Sequence, residues 1–415
     1  MPKNFQWAPG GALPSIEEHS LRKLAVLKNY LDVYFDTVVP DPRTDRLNIT
    51  LVDGFCGGGL YKNGLQETPG SPLVLLNSVE AARERLNEGR EKPLEINARF
   101  FFVDENTDHV ESLRQQIRNA GFGDEIGQSI NLINGDFAAE LPGILEVINT
   151  GQRAGRSIFV LDQFGYSDVP MQAINSIFTQ LNRPEVLLTF AIDSMLNYLR
   201  AESAALETYR QFGVDNAFIE EWNANKEDDA LGRAVTQRMV MCNIQSLSGA
   251  EFFTPFMLWS PTDNRWMMFA HLSRHQAARD KMLGVHWNAQ NSFRHIGQGS
   301  LFSLGFDARL IQSKDALFNF GDQDKKTLKN ELLNVLPNEI RTHMIDDHVS
   351  LETLLSRIGN KTAATNEDLL NAIEELVGYR DLNVVNSQGV TKRAGSRITL
   401  SDGLIVPRQT DFFRS

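Results

Sequence analysis

Apolar residues along this chain switch repeatedly between the period of a helix and that of a buried strand. Residues 15–36 carry Leu21, Leu24, Leu27 and Leu31 at helical spacing, which predicts an amphipathic helix. Ser15 followed by Glu18 has the form of a capping box, and Pro40 and Pro42 close the segment. The β-branched run 47–53 predicts a strand ending in an acid and a glycine cluster. Ser71 at the cap and Pro72 in the first turn open another helix, with Leu73, Leu76 and Val79 in its apolar stripe. The continuous apolar run 98–104 predicts a strand buried on both faces, and 108–121 a helix with a glycine stop. Strands follow at 129–135, 156–162 and 184–192, with helical patterns at 137–149 and 169–182. Such alternation predicts an α/β chain with a doubly wound, mostly parallel sheet and helices on both faces.

The pattern then changes. Residues 193–248 read as a polar helical insertion, and 251–259 and 265–272 as an antiparallel hairpin around a Pro/Asn/Asp turn. Five β/α units closed by a hairpin match the seven-stranded Rossmann plan of class I S-adenosylmethionine (SAM) methyltransferases, a fold-level analogy. Residues 277–320 give no clear period. Beyond them, 325–336, 350–359 and 366–378 predict short helices, and 380–386 with 396–403 two strands around a polar turn. Three helices and a two-strand wing resemble a winged-helix module. The expected organisation is an N-terminal helical segment 1–45, a methyltransferase-like domain 46–322 and a C-terminal domain 323–415.

Composition narrows the classes. With 415 residues and a net charge of −12, a uniformly basic coat for nucleic acid is excluded, though a local basic patch is not. Two cysteines, Cys56 and Cys242, exclude a disulfide scaffold or a cysteine-built zinc or iron–sulfur site carried by this chain alone. They fit a reducing, cytoplasmic compartment. No apolar run reaches membrane-spanning length, and the first twenty residues lack a signal-peptide core.

The chemistry sits at the strand ends. After the first strand comes Asp53-Gly54-Phe55-Cys56-Gly57-Gly58-Gly59, where glycines allow close backbone approach and positive φ. In open α/β sheets ligands bind at the carboxyl ends of strands near the switch point. A tight turn needing glycines is the alternative. The second strand ends in Asp104-Glu105, suited to ribose hydroxyls or to capping the next helix. The third ends in Asp136-Phe137, suited to an adenine amine beside a ring or to a helix cap. The fourth ends in Asp162-Gln163-Phe164-Gly165, where methyltransferases of this fold face the methyl group. The stretch Leu60 to Gly70 is an enlarged loop able to reach over this site.

The helix bearing His19 and Lys23, the DGFCGGG loop, Gly70-Ser71-Pro72, VDEN, GDF, DQFG with Val169-Pro170, and the stretch 271–287 occur in one order. In that order they resemble the three-Cys-motif partner family. The resemblance covers residues 15–290, about two-thirds of the chain, and its specificity lies in the order of short motifs. It implies similarity to SAM-dependent methyltransferases. It also implies association with a separate radical-SAM-like protein bearing three cysteines, often in phage or mobile-element settings. Gln163 departs from the family's Asp-Pro-Phe-Gly.

Asp162 could accept from an amine and Phe164 could stack, but the prolines of amino-methyltransferases are absent. Cysteine chemistry on cytosine is disfavoured by the positions of Cys56 and Cys242. The i, i+4 spacing of His19 and Lys23 by itself favours a surface pair; the resemblance places them over the cofactor mouth. His271 and His275 read as ordinary polar contacts. From Asp324 to Arg397 ten Lys/Arg face eleven Asp/Glu, yet Lys392, Arg393 and Arg397 cluster on the proposed wing, where nucleic-acid phosphates would lie. Two readings stand. One is an enzyme binding SAM with Asp53, Gly54, Phe55, Gly57, Gly59, Asp104, Glu105, Asp136 and Phe137, and transferring the methyl near Asp162, Gln163 and Phe164. The other is a non-catalytic docking or substrate-recognition subunit for the radical-SAM-like partner.

Overall fold

The computed structural model describes residues 6–150, 155–192 apart from 164 and 166, 210, 212–214, 220, 240–260, 265–289, 321–345 and 347–407. The α/β alternation read from the sequence forms as expected. Strands β1 (Arg46–Asp53), β4 (Glu95–Asp104), β5 (Ile130–Asn134), β6 (Arg156–Asp162) and β7 (Arg183–Phe190) run parallel, and β8 (Phe252–Ser260) with β9 (Arg265–Ser273) closes the sheet as an antiparallel hairpin. The strand order is β5-β4-β1-β6-β7-β9-β8. It reverses at β1, so β4 and β6 flank the first strand, and their carboxyl ends meet at the switch point where open α/β sheets bind ligands. This is the mostly parallel seven-stranded, methyltransferase-like Rossmann plan.

Register decides which side chains share a face. Asp53 pairs with Phe102 on β4 and with Val160 on β6. Strand side chains alternate with period two. Asp104 and Asp162, each two residues further on, therefore lie on the same sheet face as Asp53. One core, containing Leu51, Phe100, Phe102, Ile158 and Val160, lies on that face; Val52, Phe101, Val103, Phe159 and Leu161 belong to the opposite core.

Helix α1 (Glu18–Val38) covers the carboxylate face. It buries Val26, Leu27, Tyr30, Leu31, Tyr34 and Phe35, each apolar side chain contributing about 1.5–3 kcal/mol on full burial. The same stripe continues one and two turns N-terminally through Lys23 and His19, both buried. Ser15 does not cap this helix: it forms a β-bridge with Lys62, and Glu17 stands at the N-cap without a side-chain cap. Helix α2 (Ser71–Asn87) packs beside α1, with Gly70 rather than Ser71 at its N-cap. The enlarged loop is a small hairpin, β2 (Leu60–Asn63) paired with β3 (Gln66–Pro69). Helices α3 (Thr107–Asn119), α4 (Phe137–Thr150) and α5 (Met171–Gln180) complete the β/α units.

Most of the expected insertion 193–248 lies outside the described residues; 240–248 are helical. From the stretch without a clear period emerges α6 (Gln276–Asn288). The C-terminal part holds α7 (Asp322–His343), α8 (Leu351–Ile358) and α9 (Asn366–Gly378) with a sheet of order β10-β12-β11, where β10 is Val349–Ser350, β11 Asn383–Val385 and β12 Gly403–Ile405. The strand expected at 396–403 instead starts at Gly403. A turn held by Asp402, which accepts from the Thr399 N–H, occupies the stretch just before it. Arg279, fully buried on α6, donates to the Gly359 carbonyl at 3.0 Å and the Thr362 carbonyl at 2.7 Å. Trp287 Nε1 donates to the Ala363 carbonyl at 2.9 Å. These bonds fasten the C-terminal part to the sheet domain.

Candidate functional site at the carboxyl ends of the central strands

Asp53 ends β1 with no exposure. Its Oδ1 accepts from the Phe55 N–H at 3.2 Å, whereas Oδ2 is buried with no partner within hydrogen-bond distance among the described residues, the Ser71 hydroxyl lying near the carboxylate. Burial pushes its pKa up to about 7; the Ser71 hydroxyl and the Phe55 N–H pull the other way, and the Asp162 and Asp104 carboxylates add to the rise. Unsatisfied buried polar atoms are rare in native proteins and mark places where a partner is expected.

Asp104 is half-buried and fully engaged. Its Oδ2 accepts from the Gly57 N–H at 3.0 Å, and its Oδ1 from the Asn106 N–H at 2.9 Å with His109 Nδ1 at 3.0 Å. It therefore fixes the glycine loop and the start of α3. Glu105 beside it is exposed, and desolvation together with the Asp136 carboxylate raises its pKa. Asp136 caps α4, accepting from the Ala139 N–H at 2.8 Å. Phe137 is buried in the core rather than displayed: its ring lies 6.1 Å from that of Phe55, and a Cβ at Gly54 would come within 2.9 Å of it. Gly54 is thus required by packing beneath the loop, while Gly57 and Gly59 are required by positive φ of +58° and +88°.

Trp7 was not signalled by the sequence. Its indole is buried over the glycine loop: a Cβ at Gly58 would lie 2.2 Å from Trp7 Cγ, and one at Gly57 2.9 Å from Cη2. Trp7 Nε1 donates to the Leu60 carbonyl at 2.6 Å, and the ring stands edge-on to Tyr61 and His109. The glycines at 57 and 58 are therefore needed by the protein's own N-terminal segment, whatever else the loop approaches.

At the end of β6, Lys23 Nζ donates to Asp162 Oδ1 at 2.5 Å and to Oδ2 at 2.7 Å. Only about a tenth of the Lys23 side chain is exposed, against 38% for Asp162. This corrects the surface-pair reading favoured by spacing alone. His19, one turn earlier, lies 3.3 Å from Glu17. Gln163 is buried: Oε1 accepts from the Asp168 and Val169 N–H groups, both at 3.1 Å, while Nε2 has no partner among the described residues. It takes a structural position where proline would offer no such cap. Phe164 lies outside the described residues.

Elsewhere, His271 is in a strand and His275 at a helix N-cap, so they are not one helical turn apart. His271 is buried 3.0 Å from Glu185, which also accepts from Tyr30. On the C-terminal sheet Lys392 is tied to Asp402 at 2.7 Å and to the Arg397 carbonyl at 2.6 Å. Arg393 and Arg397 are exposed. Among the described residues no helix is long and apolar enough to cross a membrane.

A scan against protein-family models finds no match, and a search of curated proteins finds none. Solved structures to which the chain is similar include several methyltransferases. Trm1 from Pyrococcus horikoshii, in complex with S-adenosyl-L-methionine, is 10% identical over 97% of this chain and 96% of its own, with a TM-score of 0.30. A protein provisionally designated an rRNA-methylase, from Clostridium thermocellum, is 10% identical over 59% of this chain and 96% of its own, with a TM-score of 0.26. Geranyl diphosphate C-methyltransferase from Streptomyces coelicolor is 10% identical over 59% and 76%, with a TM-score of 0.23. Likenesses this weak carry no argument about activity; the fold class follows from strand order and register.

Proposed function

We propose that the crevice at the ends of β1, β4 and β6 is a SAM pocket, and that the protein is a methyltransferase of the kind its sequence resembles. The observation that carries the reading is the convergence of Asp53, Asp104 and Asp162 on one sheet face around a glycine loop, with the Asp53 carboxylate fully buried among them. The donor set fits the group. Asp53 offers a buried carboxylate to an ammonium, Glu105 an exposed carboxylate to ribose hydroxyls, and Gln163 Nε2 a buried donor to a carboxylate or ring nitrogen. Asp104 acts one step back, holding the Gly57 amide in place. Phe137 supports the floor from beneath rather than stacking on a base. SAM supplies an electrophilic methyl on a sulfonium; the protein's own part is to orient it and to exclude water.

The acceptor in this reading is nucleic acid or a substrate shared with a radical-SAM-like, three-cysteine partner, as the family resemblance implies. The C-terminal part, read as winged-helix-like, would contribute Arg393 and Arg397 to phosphate contact. The docking-subunit alternative is favoured by one feature, the cover of Trp7 over Gly57 and Gly58.

Calorimetry with SAM and S-adenosylhomocysteine tests the pocket. Micromolar binding, weakened at least tenfold by Glu105→Gln, supports it, and transfer of a labelled methyl to RNA, DNA or the partner supports the enzyme. Binding without transfer favours the docking subunit. No binding removes the pocket.

A further inference from the structure

We propose that Lys23 is the positioning residue that sets the charge at the methyl-transfer position, by neutralising the Asp162 carboxylate from the N-terminal helix. This rests on the SAM-pocket reading and adds to it a residue outside the sheet domain.

The contact is built rather than incidental. Lys23 continues the buried stripe of α1, which Val26, Leu27, Tyr30 and Leu31 anchor on the sheet. The ammonium is therefore delivered by a packed helix and not by a flexible surface arm. It reaches both oxygens of one carboxylate, 139 residues away in sequence. A lysine buried to this degree requires a partner, and Asp162 provides it. The neighbouring strand ends are acidic too: Asp53 and Asp104 share the face with Asp162, and Glu105 and Asp136 follow the ends of β4 and β5, with His109 beside Asp104. Lys23 thus sets a cation against the carboxylate that ends β6, on a face that also carries Asp53 and Asp104.

The consequence concerns charge discrimination. A free carboxylate beside the sulfonium would bind SAM more tightly than its neutral product, S-adenosylhomocysteine. A Lys23–Asp162 pair presents no net charge, so the two ligands are held at similar strength from this direction. An acceptor then meets a closed ion pair, which gives less support to a positively charged amine than a free carboxylate would.

The test is a set of affinities for SAM and S-adenosylhomocysteine measured by calorimetry on the full chain. Lys23→Met should raise the SAM-to-product affinity ratio about tenfold, because Asp162 is left as a bare anion near a cation in a medium of intermediate dielectric. Asp162→Asn should lower the ratio by a similar factor, because Lys23 is left unpaired. Lys23→Arg should keep the wild-type ratio, and the Lys23→Met/Asp162→Asn double variant should return to it. A merely structural role would weaken both ligands together and leave the ratio unmoved in every variant; that result overturns the proposal. Asp162→Asn and Lys23→Arg keep the question answerable if Lys23→Met does not fold. Failure of the wild type to bind either ligand overturns the cofactor reading and this inference with it, and so separates the two failures.

Discussion

At the scale of single residues, Asp53 is the most informative group. Its folded pKa, pushed up to about 7, lies above the ordinary carboxyl value of about 4. The folded state therefore holds the proton more tightly than the unfolded chain. The resulting stability is fully present below about pH 4 and is lost as pH rises through about 7. Denaturant midpoints should accordingly fall for the wild type between about pH 4 and 7, relative to Asp53→Asn; parallel profiles would contradict the assignment. The glycine loop gives a second expectation. A Cβ at Gly58 meets Trp7 Cγ at 2.2 Å, so Gly58→Ala should cost about 1–3 kcal/mol by overpacking and expose the N-terminus to protease. Gly57→Val combines positive φ with contact to the same indole, so its effect on binding will be mixed with an effect on stability. Glu105→Gln avoids this, because Glu105 is exposed.

At the scale of elements, the strands and their terminal acids were legible because continuous apolar runs ending in Asp leave little choice of period. What was not legible was register. Nothing in the chain says that Asp53 stands beside Phe102 and Val160, and only that pairing puts three carboxylates on one face. For Lys23 the i, i+4 spacing favours a surface pair, and only the resemblance places it over the cofactor mouth; following the stripe of α1 back from Tyr30 through Val26 to Lys23 and His19 gives its burial directly. Trp7 gave no signal, since a lone aromatic in a Pro/Gly-rich segment has no periodicity. The C-terminal sheet went astray for a related reason: Leu400 in the expected strand belongs to a turn held by Asp402, and the strand begins later. Asp402 is buried and paired with Lys392. Lys392→Ala should therefore destabilise this part by about 1–3 kcal/mol through an unpaired buried carboxylate, seen as a lower thermal midpoint. Arg393→Ala with Arg397→Ala should leave the midpoint unchanged. If these arginines meet phosphates, the double variant should reduce the salt slope of nucleic-acid binding by about two; an unchanged slope would remove them from the interface.

At the scale of the whole molecule, N-terminal helix, sheet and C-terminal part form one connected structure. Helix α1 closes the carboxylate face, and Arg279 and Trp287 carry the sheet domain into the C-terminal helices. The Arg279 guanidinium is buried deeply enough for desolvation to lower its pKa to about 10, and its loss would strand two carbonyls. Arg279→Ala should split a single unfolding transition into two in scanning calorimetry; one undivided transition would show that the clamp is dispensable. The same continuity brings a residue from α1 to the end of β6, so the crevice is a property of the assembled chain and not of the sheet alone. Its identity as an adenosyl pocket is tested most directly by a crystal structure of the full chain grown with S-adenosylhomocysteine. The account predicts adenosyl density between the glycine loop and the end of β6, with the ribose at Glu105 and the amino group at Asp53. Density at another place, or a crevice unchanged with Trp7 seated and no ligand at saturating concentration, would contradict it.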